Sequence, residues 1–476
     1  MAEKKISQLT AKGAALAQTD LLVISEDAGG GVYNTKSVTG ANIKALVTDA
    51  NMTTTDITTN NVSTSKHGFA PKAPNDTTKF LRGDGTWAVP AGGGSSSGKF
   101  GIADSTGAYT YYTTLGAAIT ASTAGQTIEV FTDYTETGAV TITLKDGVTI
   151  NGNGHTYILS IANNTNHTFL IDSSGTYKIL NLNIKRTNGG ASVNTLRITA
   201  GNSFIYGDGS YFYNTNSSAI VSIPSSNELY NLYGSTDDAS SYSIYSESKV
   251  YNSIGKGTGI GIGSYNGHIY NSIGISSGSY GLEICESSNC TGISSSSSGI
   301  RVVSGGSKTL SNCIGYSSSG AGIGSVTNGI IFNNCNAYSS ASYGFAIGAS
   351  TSINNCTSYS SSNWGIYIPG GKINNSYVFS STNYGVYTES NVIISNSTIE
   401  SSSTSCVYFG SGTSNAAEIH NCTLITGNSA AYCLLPQGAY TIKYSSNIFK
   451  GATTPVNANI TQGMTNTEDT YGNITI

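Results

Sequence analysis

Residues 352–368 read SINNCTSYSSSNWGIYI and residues 372–388 read KINNSYVFSSTNYGVYT. Apolar and polar positions coincide almost throughout. The anchor of the phrase is an Asn followed by Ser, Cys or another small residue. It recurs at Asn252, Asn271, Asn289, Asn312, Asn334, Asn355, Asn375, Asn396 and Asn421, in steps of 19, 18, 23, 22, 21, 20, 21 and 25 residues. A looser copy stands at Asn231. Two residues before the Asn lies Val250, Ile269, Leu310, Phe332, Ile353, Ile373, Ile394 or Ile419. Ten residues after it comes Gly281, Gly299, Gly322, Gly344, Gly365 or Gly385, with Cys406 in the same place one repeat later. Past the Gly the chain alternates with period two. Leu282 and Ile284, Ile300 and Val302, Phe345 and Ile347, Ile366 and Ile368 point one way; Glu283, Arg301, Ala346 and Tyr367 point the other. Period two marks a half-buried strand. Each repeat therefore predicts about three short strands parted by Asn, Gly and Ser turns.

A unit this short cannot bury its own apolar face, so it must stack on its neighbours. Stacking sets each strand about 4.8 Å from its equivalent, in register and parallel. The predicted fold is all-β: a right-handed parallel β-helix. An Asn ladder can then pass hydrogen bonds from coil to coil and satisfy turn backbone. The Gly positions are expected to supply unusual φ values or close approach at another corner. Cys290, Cys313, Cys335, Cys356 and Cys422 directly follow the ladder Asn, and Ser253, Ser272, Ser376 and Ser397 take the same slot. Exchange with Ser predicts reduced thiols in a small-residue slot, neither a disulfide framework nor a zinc site.

Upstream, Leu115, Ala118 and Ile119 fall at helical spacing within residues 112–124. A short helix there would cap the open end of the solenoid. Two strand signals (TIEVF, VTITL), a Lys145-Asp146-Gly147 turn and an Asn151-Gly152-Asn153-Gly154 corner follow. This stretch resembles the opening segment of pectate-lyase-like β-helix proteins. AGGGSSSG, residues 91–98, reads as a flexible linker. The expected organisation is an N-terminal attachment segment (1–50), a neck (51–90), the linker, the β-helix with its capping helix (99–450) and a C-terminal cap (451–476).

Two N-terminal phrases carry a further resemblance. Lys5-Ile6-Ser7-Gln8-Leu9 and Thr19-Asp20-Leu21-Leu22, then a Gly hairpin and a Thr/Val strand, resemble the start of many phage tail fibres and tailspikes. Residues 65–90, with His67-Gly68-Phe69, Pro71-Lys72 and Phe80-Leu81-Arg82-Gly83-Asp84-Gly85-Thr86-Trp87, are similar to a neck phrase of phage fibre proteins. The resemblance implies a homotrimer fixed to the phage tail or baseplate by its N-terminus. It also implies a virion location after synthesis in the bacterial cytoplasm, and a β-helix that meets a host surface polysaccharide.

Composition narrows the classes. Only 10% of the 476 residues are charged and the formal net charge is −4, while Gly numbers 58, Tyr 31 and Pro 7. Residues 1–90 hold nine Lys+Arg against eight Asp+Glu, leaving thirteen against eighteen in the rest (22 − 9 and 26 − 8). No basic patch exists, so nucleic acid is not an expected partner. No apolar run spans a bilayer and MAEKKISQLT lacks a signal-peptide core, so membrane insertion and export are not expected. That expectation weighs against the alternative of a bacterial β-helix adhesin. An ice-binding array needs fixed outward Thr, and the outward slots here are mixed. The five His are scattered; no metal and no cofactor is expected.

The candidate chemistry is sugar recognition. Tyr343, Trp364 and Tyr384 precede the corner Gly on consecutive coils, and Tyr367, Tyr387 and Tyr408 lie two residues past it. Ring faces repeated about every 4.8 Å suit a glycan chain; the structural alternative is a ladder that only stabilises the sheet. A depolymerase would need a carboxylate pair. Its candidates are Glu247, Glu283, expected to face outward, and Glu286. Short repeats without long insertions build no cleft wall, so the sequence favours a glycan-reading tail fibre or tailspike over a depolymerase.

Overall fold

The computed structural model describes residues 21–27, 33–39, 79–82, 86–88, 98–462 and 474–475, apart from residues 139, 165, 190–191, 304–307, 411–415 and 439. The chain divides into two compact units, residues 1–95 and 96–476, and the division falls in the Gly/Ser stretch. In the first unit Leu21–Asp27 pairs antiparallel with Tyr33–Thr39, and Phe80–Leu81 with Trp87–Ala88. The Lys5–Leu9 phrase, the His67–Lys72 part of the neck phrase, Gly83–Gly85, most of the linker and residues 463–473 lie outside the described residues.

The second unit is a parallel β-helix. Each coil contributes one strand to each of three sheets. Sheet 1 contains the strands just before the ladder Asn, such as Lys249–Tyr251 and His268–Tyr270. Sheet 2 contains those just after it, such as Ile254–Gly257 and Ile273–Ser276, and has 16 strands. Sheet 3 contains those after the corner Gly, such as Leu282–Ile284 and Ile300–Val302, and has 14 strands. Equivalent strands pair in register: Val250 with Ile269, Ile353 with Ile373, Ile366 with Val386. Like therefore stacks on like, and the apolar position before the ladder Asn fills the bore in every coil but that of Asn289, where Ser287 takes the place.

At the N-terminal end Phe100–Ala103 pairs antiparallel with both Tyr109–Tyr112 and Thr127–Val130. The helix Leu115–Ala121 follows, capped by the Thr114 side chain on the Ala117 N–H at 3.3 Å, and buries Leu115, Ala118 and Ile119. The hairpin and helix together terminate the parallel edge. At the other end Ile460–Gln462 and Ile474–Thr475 add strands to the last coil.

Each corner has its own chemistry. The ten ladder Asn from Asn231 to Asn421 all lie in the left-handed region, φ 48° to 56°. Asn tolerates this region where most residues do not. Their amides also form the expected rungs: Asn289 donates to Asn271 at 3.0 Å, Asn312 to Asn289 at 3.0 Å and Asn334 to Asn312 at 3.1 Å. In the next slot, Ser272 Oγ accepts from the Ser253 N–H at 3.0 Å, Cys356 Sγ from the Cys335 N–H at 3.3 Å and Ser376 Oγ from the Cys356 N–H at 3.2 Å. Ser and Cys interchange because either can accept there. All eight Cys are buried free thiols, and burial holds the Cys422 thiol up at about 11.

The second corner carries a buried Ser ladder. Ser339 Oγ accepts from the Ser342 N–H at 2.8 Å and donates to Gly320 O at 2.7 Å; Ser360 repeats this with Asn363 and Ser342 at 2.9 and 2.6 Å. The corner Gly that follows does not adopt positive φ, contrary to one of the two expectations for it. Close approach explains it instead. A Cβ on Gly299 would lie 2.5 Å from the Tyr316 nitrogen, and one on Gly322 2.4 Å from the Tyr338 nitrogen. Sheets 2 and 3 nearly touch here. The inward sheet 2 position reads Phe212, Gly234, Gly255, Gly274, Gly292, Gly315, Ala337, Ser358, Val378, Ile399, Leu424, Phe449 along successive coils. The bore therefore narrows to a waist and widens again.

From the coil of Asn271 to that of Asn396 the third corner absorbs the variation in repeat length. Between sheet 3 and sheet 1 the chain spends residue 285 alone in one coil, residues 303–308 in the next and 410–415 further on.

Candidate glycan-binding groove

The outward slots of sheet 3 align as Glu283, Arg301, Gly324, Ala346, Tyr367, Tyr387 and Tyr408 on successive coils. The slots before the corner Gly carry Tyr280, Ser298, Ala321, Tyr343, Trp364 and Tyr384. Small residues in the middle of both rows leave an open groove of about 510 Å³. Gly324, Ala321 and Ala346 line it between Arg301 with Tyr280 and the Tyr343, Trp364 and Tyr367 rings. Three coil steps separate Arg301 from Tyr367, about 14 Å at ordinary strand spacing. Val326, 72% exposed on the third corner, lines the groove too.

The structure brings the six aromatic candidates into one cluster, but not as a row of open faces. Each corner ring packs on the outward ring of the next coil. Trp364 stacks on Tyr387 at 4.0 Å and 6°, and Tyr384 on Tyr408 at 4.3 Å and 7°. Those faces cover each other. Tyr343, Trp364 and Tyr367 meet at tilts of 35° to 39°, with centroids 5.2 to 6.1 Å apart. These three line the groove; Tyr384, Tyr387 and Tyr408 support them from behind. Trp364 Nε1 is buried with no hydrogen-bond partner among the described residues. A buried donor of this kind normally has an acceptor.

Sequence reasoning missed Glu389. It lines the groove, and Tyr367 OH donates to its Oε2 at 3.4 Å. Burial first, and then Glu389, raise the Tyr367 hydroxyl and push that of Tyr387 up to about 12. Both stay protonated at neutral pH and act as donors. The hollow itself had a signal: small residues at Gly324 and Ala346 between the larger Arg301 and Tyr367.

The three candidate carboxylates do not converge. Glu283, expected at the surface, is 4% exposed. Tyr242 OH and Tyr265 OH both donate to its Oε2 at 2.9 Å, and Arg301 Nη1 pairs with its Oε1 at 3.2 Å. Arg301 in turn lies 4.6 Å from the Tyr280 ring centre. Glu283 thus fixes Arg301 at one end of the groove. Burial first, then the contacts with Tyr265 and Glu283, raises the Tyr242 hydroxyl, which makes it a poor general base. Glu247 accepts from Tyr245 OH at 3.0 Å. Glu286 belongs to sheet 1, where it meets His268.

A second aromatic row, also missed, lies on sheet 1. Tyr206, Tyr230, Tyr251 and Tyr270 stack with centroids 4.8 to 4.9 Å apart and planes within 9°. Face-to-face stacking leaves only ring edges outward, so this row offers no platform to a sugar face.

No family model matches the chain, and no curated protein matches it. Among solved structures, the A-module of the mannuronan C-5 epimerase AlgE6 from Azotobacter vinelandii is similar at 14% identity. That likeness covers 71% of this chain and 78% of the module, with a TM-score of 0.19. At that score it carries no statement about the chemistry of this chain.

Proposed function

We propose that this protein is a phage tail fibre or tailspike whose solenoid reads a host cell-surface glycan in the sheet 3 groove during adsorption. The observation that carries the reading is the groove. It joins aromatic walls, a fixed Arg301 and the Glu389 carboxylate over a length that suits about three sugar rings. Few polar groups converging on an apolar hollow is the ordinary make-up of a ligand site. The phage assignment rests on the resemblance of residues 65–90 to fibre necks and of residues 5–9 and 19–22 to fibre N-termini. In this reading the N-terminal unit attaches to the tail or baseplate, the chain is a homotrimer, and the protein resides in the virion.

Glycan binding is preferred to cleavage because Glu283 is committed to Tyr242, Tyr265 and Arg301 and Glu286 lies on another sheet. A glycosidase needs two carboxylates across one bond. The test is calorimetric titration of the purified protein with host envelope glycan, with reducing-end and unsaturated-sugar assays of the same mixtures. Binding without release, weakened at least about tenfold by Trp364→Ala and unchanged by Tyr251→Ser, is the expected result; the lost aromatic contact corresponds to about 1.4 kcal/mol. Release of saccharide would replace the reading with a depolymerase. Equal binding by Trp364→Ala would move the site elsewhere.

A further inference from the structure

Twelve large hydrophobic residues are exposed among the described residues, and seven of them lie on the outer face of sheet 2. The row begins at Tyr233 and continues through Ile254, Ile273, Ile293, Tyr316, Tyr359 and Tyr377, each 36% to 42% exposed. Register places Tyr233, Ile254, Ile273 and Tyr377 in one outward column and Ile293, Tyr316 and Tyr359 in the neighbouring one, two residues along the strand, on seven of eight successive coils. Half-buried Tyr338 fills the one skipped coil and half-buried Phe379 lies beside Tyr377: Tyr316 stacks on Tyr338 and Tyr359 on Phe379, both at 4.9 Å. From Tyr211 to Phe379, Lys256 is the single charged outward residue of this sheet. Lys185 precedes the strip and Glu400 follows it.

We infer that this strip is the interface between copies of this chain. A soluble monomer seldom leaves so long a contiguous apolar surface in water. A Tyr that is 40% exposed presents about 80 Å². The seven exposed residues with Tyr338 and Phe379 together present roughly 650 Å², toward the lower end of one partner's share in a standard-sized stable interface. Depletion of charge with enrichment in Tyr is the composition of an interface core. The strip follows a rigid solenoid for seven coil steps, about 34 Å at strand spacing. Only an equally long and rigid partner can cover it throughout, and a second solenoid in parallel is such a partner. The rings are already stacked within each chain, so association immobilises few free side chains.

The test uses the full chain. Sedimentation equilibrium from 1 to 50 µM should give a multiple of the 49.1 kDa chain mass. The double variant Ile273→Asp/Ile293→Asp should sediment as a single chain with an unchanged far-ultraviolet spectrum. Tyr408→Ser, on sheet 3, should keep the wild-type mass. A monomeric wild type, or a folded double variant of wild-type mass, overturns the inference; in either case the strip is bare or carries a different occupant. If the double variant does not fold, tyrosine labelling of the wild type decides. Tyr316, Tyr359 and Tyr377 should label at least several-fold more slowly in the assembled protein than after dilution to single chains. Equal labelling in both states overturns the inference.

Discussion

Asn334 separates two roles that the ladder Asn combine. Its φ of 54° lies in the left-handed region. Its side-chain amide donates to Asn312 Oδ1 at 3.1 Å, and its backbone N–H donates to Asn354 O at 3.0 Å. Asn334→Ala keeps the backbone bond but loses the side-chain donor, about 1 kcal/mol for a hydrogen bond of which the remaining acceptor is exposed to water. It also puts an ordinary L-residue in the left-handed region, about 1 to 2 kcal/mol. The expected loss is roughly 2 to 3 kcal/mol from the two effects together. Asn334→Gly loses the same donor without the steric cost, though Gly gives back about 0.5 to 1 kcal/mol in chain entropy. Gly should therefore be milder than Ala by about 0.5 to 1 kcal/mol, the steric relief less the entropy. Urea unfolding followed by circular dichroism reads the order, and hydrogen exchange of the coil amides reads where the loss falls, since solenoids need not unfold as one unit. Equal losses for Ala and Gly would refute the argument that φ selects Asn at this corner. No loss for either would refute the ladder as well.

Other consequences can be checked in the same way. Gly299→Ala drives a Cβ to 2.5 Å from the Tyr316 nitrogen at the waist; it should destabilise by about 3 kcal/mol or more and sharply lower soluble yield. Cys356→Ser should leave the unfolding midpoint near that of wild type, whereas Cys356→Val, which cannot accept from the Cys335 N–H, should cost about 1 to 3 kcal/mol. His167 Nδ1 accepts from the Asn194 N–H at 2.9 Å, and burial first, then Arg197 and Arg186, lowers its pKa to about 4. A depressed folded value means that its stabilising contribution is present above about 6.5 and is lost as pH falls toward 4; His167→Gln should flatten the fall in melting temperature across that window.

The repeat announced most of the fold. Asn at constant distance from Gly, with Ile and Val between, could be satisfied only by stacked coils, and the sheets follow that register. The helix at Leu115–Ala121 was legible from three apolar residues at helical spacing. What the sequence hid depends on contacts between coils. Alternation placed Glu283 outward, yet Tyr242 and Tyr265, 41 and 18 residues earlier, close over it. Period two knows nothing of neighbours two coils away. Aromatic register located the cluster at Trp364 and Tyr387 but not the ring tilts, which decide whether a face is free. Gly at the second corner suggested a special φ; the cause is the backbone of the opposite sheet, set by the Gly row at 255, 274, 292 and 315.

Confining length variation to the third corner makes the chain editable one coil at a time. From Asn271 to Asn396 the interval from the ladder Asn to the corner residue stays at ten residues while the return segment shrinks or grows beside the groove. An insertion next to Val326 would therefore alter what the groove meets without shifting the register of any strand below it. A combinatorial library of return segments, one position per rung at intervals of about 4.8 Å, would re-address the groove and leave the scaffold constant.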